Sequence, residues 1–145
     1  PSLRKGCCYL ARPRKEGLDY FPLDVGFIED IKVRKLLRKY DARSIAVLVY
    51  LLSFIYRDKG YYMDVAENIY FIIADTLKID ESEVASIVQY LIEIDFFNKN
   101  MFELYGILTS KSIQVRYIKA TERRMFSDIE ERFRLFDMND VRKTY

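Results

Sequence analysis

Length, composition and charge describe one globular domain and exclude several kinds of enzyme. The chain has 145 residues, 50% of them hydrophobic and 32% charged, which is enough for one core and too apolar for a disordered chain. With only 5 Gly and 3 Pro, we expect a mostly α-helical fold. The chain has no His, which excludes a His-based catalytic triad and an HExxH zinc protease.

The formal net charge of +2 hides an acidic middle between two basic flanks. Residues 1–43 carry 11 Lys and Arg against 6 Asp and Glu, which gives +5, and residues 111–145 carry 9 against 6, which gives +3. Residues 44–110 carry 4 against 10, which gives −6. A polyanion would therefore bind to the flanks.

The N-terminal segment is basic and has no apolar periodicity. We expect residues 1–17 to form a flexible basic arm, followed by a domain at residues 18–109 and by a C-terminal helix and tail at residues 110–145. The two cysteines, Cys7 and Cys8, are adjacent and offer no disulfide framework and no CxxC metal site. Together with the lack of an export signal, they predict a cytoplasmic protein.

Residues 31–40 predict an amphipathic helix with one packing face and one cationic face. The packing residues are Val33, Leu36, Leu37 and Tyr40, and the cations are Lys32, Arg34, Lys35, Arg38 and Lys39. A second helix, capped by Asp41 or Ser44 and apolar on all sides up to Tyr56, should be the one against which the others pack. Its apolar run of 12 residues is shorter than the roughly 20 that span a membrane.

The elements that follow have the order of a winged helix-turn-helix. A short strand is predicted at residues 61–63, and a helix at about residues 66–77 with Ile69, Ile72 and Ile73 facing inward. Asp80 and Glu83 form a capping-box pattern at the start of the next helix. The buried stripe predicted for that helix is Val84, Ile87, Val88 and Leu91. Residues 96–105 predict a β-hairpin that would be the wing, and residues 110–136 predict one long helix.

Three segments resemble a known family: LARPRKEGLDYFPLDV at residues 10–25, YRDKGYY at residues 56–62 and YGILTSKSIQVRYIKATERR at residues 105–124. The chain resembles the N-terminal domain of replisome-organiser-like proteins of phages and integrated elements. That domain is similar to the winged-helix N-terminal domain of DnaD-type primosomal proteins. The resemblance implies a role in the initiation of replication of mobile DNA, and it assigns no functional residue.

Two departures from that family lead to further expectations. Leu10 stands where such domains start with Met, so residues 1–9 are expected to lie upstream of the true start and to be dispensable. The DnaD-type proteins also have a C-terminal domain that carries much of their DNA binding, whereas this chain ends at Tyr145. We therefore expect a fragment of a longer protein or a short member of the family.

The helix in the position of a recognition helix is acidic. It carries Asp80, Glu81, Glu83, Glu93 and Asp95, no Lys or Arg, and only Gln89 as a residue suited to reading bases. The fold favours DNA binding, but these carboxylates would repel phosphates. The carboxylates on this helix therefore indicate that it does not read bases in the major groove.

Three cationic patches could instead follow a phosphate backbone. Their alternative interpretation is an ordinary solvated surface. The patches are the arm residues Arg12, Arg14 and Lys15, the helix residues Lys32, Lys35, Arg38 and Lys39, and a possible helical row of Arg116, Lys119 and Arg123.

An apolar stripe in the predicted last helix suggests self-association. Phe126, Ile129, Phe133 and Phe136 have a, d spacing over about one and a half heptads. This stripe either packs on its own domain or docks a second copy, and we expect the second.

Taken together, these features predict a DNA-binding and assembly module of a phage or mobile-element replication initiation protein. We expect no catalysis, no cofactor and no metal, because the chain has neither a phosphate-binding Gly-rich loop nor a nucleophile elbow. The expected partners are DNA, bound without sequence preference, a second copy of the chain and host replication proteins. The alternative is a protein-interaction module that binds no DNA itself.

Overall fold

The structure, a computed structural model, describes residues 15–124 and 128–143. Within these ranges it contains seven α-helices, two short 3-10 turns and one two-stranded antiparallel sheet. The elements in chain order are α1 (Ile31–Tyr40), α2 (Arg43–Asp58), β1 (Met63–Asp64), α3 (Ile69–Leu77), α4 (Glu81–Glu93), α5 (Lys99–Tyr105), β2 (Ile107–Leu108), α6 (Lys111–Ala120) and α7 (Met138–Lys143).

The first two helices form where the sequence predicts them. The Asp30 side chain accepts a hydrogen bond from the Lys32 N–H at 2.9 Å and starts α1, which buries Val33 and Leu36. Asp41, at φ 61°, ends α1 and separates it from α2. Its carboxylate accepts a hydrogen bond from the Arg43 N–H at 3.1 Å. Helix α2 buries seven side chains and contacts α1, α3, α4 and β1, so it is the centre of the core as predicted.

Helices α3 and α4 pack on one another and are joined at Lys78, which has φ 61°. The buried stripe predicted for α4 is confirmed, but Asp80 makes no side-chain cap there. Glu83 instead accepts a hydrogen bond from the Arg43 guanidinium at 2.9 Å. The prediction that Ile72 faces inward is wrong, because α3 buries the face that carries Ile69, Ile73 and Ala74 and leaves Ile72 43% exposed.

The predicted hairpin at residues 96–105 is wrong, because Asn98 caps a helix and does not form a turn. Its side-chain oxygen accepts a hydrogen bond from the Met101 N–H at 3.0 Å at the start of α5. Gly106, at φ 66°, ends α5 in the left-handed conformation that suits glycine. Strand β2 then pairs with β1, with Met63 opposite Leu108. The fold is mostly helical with a small sheet, as predicted, and residues 96–105 form no wing.

The predicted long helix at residues 110–136 is also wrong. Helix α6 ends at Ala120, where the Thr121 hydroxyl donates to the Tyr117 carbonyl at 2.8 Å. Residues 128–143, which we call the C-terminal return, fold back onto the domain through a 3-10 turn and α7. Buried Gln114 fixes this return, because its amide donates to the Phe133 carbonyl at 2.7 Å and accepts from the Leu135 N–H at 2.8 Å.

Candidate nucleic-acid interface

The exposed face of α1 carries cations that no described residue neutralises. Lys35 and Arg38 lie one turn apart on this face, and both are exposed. Within residues 15–124 and 128–143, neither side chain has a hydrogen bond or ion pair with another residue. These two cations are therefore free to bind an external anion.

The other α1 cations lie at the borders of this face and make contacts within the domain. The Lys32 ammonium donates to the Asp95 carbonyl at 2.7 Å, just beyond the end of α4. The Arg34 guanidinium donates to the Glu29 carbonyl at 3.0 Å. The Lys39 ammonium lies 4.4 Å from the centroid of the Tyr90 ring, which is a cation–π distance. The predicted cationic face is present on α1, and Lys35 and Arg38 are its unpaired members within the described residues.

A groove lined by three tyrosines adjoins this face, and sequence reasoning missed it. It has a volume of about 490 Å³ and lies between α1, α3 and α4. The Tyr40 and Tyr90 rings meet edge to face, with centroids 5.7 Å apart. The groove is lined by Lys39, Tyr40, Tyr70, Ala85, Ser86, Gln89, Tyr90 and Glu93. Because these residues come from three helices, no local sequence pattern marks them as neighbours.

The acidic character of α4 is retained on the surface. Glu81, Glu93 and Asp95 are exposed, and Glu83 is held by Arg43. Gln89 is also exposed, at the rim of the tyrosine groove. Since α1 packs directly against α4, a phosphate backbone on the α1 cations would pass beside these carboxylates.

The basic arm can be followed only at its end, because Arg12 and Arg14 lie outside the described residues. Lys15 forms an ion pair with Asp19, and this contact holds the pKa of Asp19 below its ordinary value. Arg124 donates to the carbonyls of Lys15, Glu16 and Gly17, at 3.1, 3.2 and 2.8 Å. Residues 15–17 are thus bound to the domain, which contradicts the expectation of a flexible arm up to residue 17.

The predicted cationic row on the last helix does not form a helical face. Arg123 lies beyond the end of α6 at Ala120, and Lys119 is half-buried. Arg116 donates to the Tyr56 hydroxyl at 2.9 Å. Burial raises the pKa of Tyr56, and the guanidinium partly offsets that rise, so the hydroxyl stays neutral. Arg116 is therefore occupied inside the domain.

The predicted self-association stripe is buried in its own domain wherever it is described. Ile129 and Phe133 are each 3% exposed and Phe136 is 8% exposed, while Phe126 lies outside the described residues. The Phe133 ring packs between Tyr62 and Tyr105, with centroid distances of 4.9 and 5.1 Å. The expectation that these side chains dock a second copy required them to be exposed, and that requirement is wrong because they already pack in the core of their own domain.

A second cleft, in the described part of the chain, has mixed charge. It has a volume of about 760 Å³ and lies between the start of α6 and the C-terminal return. Its cations are Lys32, Lys111 and Arg116, and Lys111 pairs with Asp140 at 3.0 Å. Asp24 and Asp95 also line it, so the cleft has no excess of positive charge with which to bind an anion.

The described part of the chain offers neither a metal site nor a membrane span. No cluster of three or more Cys, Asp or Glu side chains there could hold a metal ion. No helix in residues 15–124 or 128–143 is long and apolar enough to cross a membrane.

Comparison with known proteins places the chain in a family. The model of the family described as "Lin1244/Lin1753-like, N-terminal" matches residues 20–113. The chain belongs to the Lin1244/Lin1753-like family. It is 35% identical over 133 residues to the "Uncharacterized phage-related protein Lin1244/Lin1753" of Listeria innocua serovar 6a, an alignment that covers 91% of this chain and 43% of that protein. The chain thus spans less than half of the length of this relative, and no solved structure matches it.

The residues that match the Lin1244/Lin1753-like family include the whole of the candidate interface. They begin before α1 and end just inside α6, so they contain α1, the tyrosine groove and acidic α4. The return that buries Phe133 and Phe136 lies beyond them.

Proposed function

We propose that this chain is a DNA-contacting and assembly module of a phage-associated protein that acts in the cytoplasm at the initiation of DNA replication. The exposed and unpaired Lys35 and Arg38 on α1 are the observation that carries the DNA contact. The phage-related name of the Listeria relative supports the association with phages. The role in replication rests on the sequence resemblance to replisome-organiser-like domains.

The proposed contact is with phosphates and not with bases. Cations on one helix face neutralise backbone charges and release counterions, which gives affinity without sequence preference. The exposed carboxylates Glu81, Glu93 and Asp95 repel a duplex that approaches α4 closely enough for base reading. The module has no catalytic role in this proposal, and it needs no cofactor.

Arg12 and Arg14 would extend the interface if the arm reaches the same phosphates. Lys32 and Lys39 contribute from the border of the α1 face, where each also contacts the domain. Arg116 contributes little, because its guanidinium is engaged by the Tyr56 hydroxyl. Host replication proteins remain proposed partners of the complete protein.

A second candidate function is a protein-interaction module that binds no DNA. It is favoured by the exposure of the adjacent Phe71 and Ile72 on α3, since a contiguous exposed apolar patch is typical of a protein-interaction surface. In that case the residues of this chain make no DNA contact.

Binding of labelled duplexes separates the two functions. We expect fluorescence anisotropy to show binding of three duplexes of equal length and unrelated sequence, with similar Kd values. The double variant Lys35→Ala/Arg38→Ala should weaken all three equally, and Gln89→Ala should weaken none. No binding by the wild type, or binding lost with Gln89→Ala but kept in the double variant, would contradict the proposed phosphate contact.

A further inference from the structure

The solvent-exposed face of α3 carries large apolar side chains that do not pack into the core. Phe71 is 55% exposed and Ile72 is 43% exposed. On the neighbouring helix α2, the half-buried Tyr50 and Phe54 rings stack at 4.7 Å, and the Arg57 guanidinium lies 4.8 Å from the centroid of the Phe54 ring. The Tyr50 hydroxyl lies 3.4 Å from the Thr76 hydroxyl on α3. Phe71 and Ile72 therefore form an exposed apolar patch on α3 itself. We call it the α3 surface.

The surroundings of the α3 surface are acidic. Residues 64–83 contain six carboxylates and one cation, Lys78. The carboxylates other than Glu83 are exposed, and they are Asp64, Glu67, Asp75, Asp80 and Glu81. Asp75 lies one turn from Phe71 on the same face of α3. The α3 surface therefore suits a partner that combines apolar side chains with cations.

The same chain carries a surface of that composition on α1. Ile31 is 63% exposed and lies on one line with Lys35 and Arg38, at positions i, i+4 and i+7. The exposed side chains of Val25 and Ile28 extend the apolar part ahead of the helix. We call Val25, Ile28, Ile31, Lys35 and Arg38 the α1 surface. It is cationic at the Lys35 and Arg38 end, and apolar at the other end, where the exposed Asp24, Glu29 and Asp30 adjoin the apolar residues in the chain.

We propose that the α3 surface of one copy of this chain docks on the α1 surface of a second copy. Apolar residues would meet apolar residues, and the carboxylates around Asp75 would face Lys35 and Arg38. A pair held by one such contact has one surface of each kind unused, and those two surfaces can bind further copies. Association therefore proceeds head to tail unless both surfaces of each copy bind the same partner, which closes the assembly.

This inference deepens the assembly part of the proposed function and does not depend on the DNA contact. It replaces the buried stripe of Ile129, Phe133 and Phe136 as the basis for self-association. It also implies competition, because Lys35 and Arg38 cannot face the carboxylates of another copy and a DNA phosphate at the same time.

Two charge-reversed variants test the proposal without DNA. The first is Lys35→Glu/Arg38→Glu, which makes both surfaces acidic, and the second is Glu67→Lys/Asp75→Lys, which makes the α3 surface basic. In sedimentation velocity at low salt, we expect the mass of the wild type to rise with concentration and each variant alone to remain monomeric. An equimolar mixture of the two variants should regain association, because every basic surface then finds an acidic one.

If the wild type is monomeric at every concentration, the proposal is wrong, and the α3 surface would then bind a different protein. Association of the wild type without rescue in the mixture would overturn it as well, since another surface would then be responsible. Circular dichroism is the control that checks whether each variant is folded.

A matched pair of apolar variants separates this inference from the DNA contact. Phe71→Ser should abolish self-association without weakening DNA binding, and should strengthen it where self-association competes, while Leu104→Ser, on the exposed face of α5, should change neither. Self-association that survives Phe71→Ser would contradict the inference. Loss of DNA binding in Lys35→Glu/Arg38→Glu bears only on the proposed function.

Discussion

Helix α1 and helix α6 with its following turn are both rich in cations, but the structure uses these cations in opposite ways. On α1, Lys35 and Arg38 extend into solvent without a partner in the described chain. Within α6, the Arg116 guanidinium donates a hydrogen bond to the Tyr56 hydroxyl. In the turn after α6, the Arg124 guanidinium donates to three backbone carbonyls of residues 15–17. A count of charges cannot distinguish these cases. Only an unpaired cation offers its full hydrogen-bonding capacity to a ligand.

The largest expected effect tests whether the region after α6 is structural. Gln114→Leu should lower the free energy of unfolding by about 3 kcal/mol, because the Phe133 carbonyl and the Leu135 N–H are both left without their partner. Urea unfolding followed by circular dichroism measures it. Gln89→Leu, at an exposed position of α4, is the control and should stay within about 0.5 kcal/mol of the wild type. Equal effects of the two substitutions would mean that the C-terminal return is not held by Gln114.

A smaller effect is expected at Arg124. Arg124→Met keeps most of the side-chain volume but removes the three hydrogen bonds to residues 15–17, which should cost about 1–2 kcal/mol of unfolding free energy. Arg123→Met, one residue earlier and exposed, should have almost no effect on unfolding. If Arg123→Met proved as destabilising as Arg124→Met, the difference between structural and free cations would not hold here.

The pH dependence of the C-terminal return should be smaller still. The Asp137 N–H and the Lys111 ammonium hold the pKa of Asp140 below its ordinary value of 3.8. A lowered folded-state pKa means that this contribution is complete above the unfolded value and disappears as the pH falls through the folded-state value. The free energy of unfolding, measured from pH 5 to pH 2, should therefore fall less steeply in Asp140→Asn than in the wild type. Identical profiles would show that Asp140 contributes nothing.

Removal of the free cations should have the smallest effect on stability. Lys35→Ala/Arg38→Ala should change the free energy of unfolding by less than about 0.5 kcal/mol, because neither side chain has a partner within the described residues. Thermal unfolding in the same buffer checks this. A clear decrease in stability would reveal a structural role for α1 cations and remove the contrast with Arg124.

The sequence predicted the elements whose signals are local. Asp30 at the start of α1, the alternation of Val33 and Leu36 with cations, and the buried stripe of α4 are patterns within one helix, and the structure confirms them. Prediction failed where one residue type serves two structures. Asn98 favours a turn and a helix cap equally well, and here it caps α5.

The remaining errors depend on contacts between distant residues. Residues 110–136 contain no Gly or Pro, so nothing local marks the end of α6 at Ala120. The one available signal was Gln114, a polar side chain within an apolar stripe that needs buried partners, but the sequence does not show that Phe133 and Leu135 supply them. The tyrosine groove is likewise assembled from α1, α3 and α4.

The central claim is that the unpaired cations of α1 bind DNA phosphates, and the salt dependence of binding tests it most directly. Removing one cation that binds a phosphate should reduce the slope of log Kd against log salt by about 0.9. We therefore predict that Lys35→Ala/Arg38→Ala lowers the slope by about 1.8, while Lys99→Ala/Arg142→Ala, which removes the same charge from exposed positions elsewhere, leaves it nearly unchanged. Equal slopes for the wild type and the α1 variant, or an equal reduction in both variants, would contradict the claim.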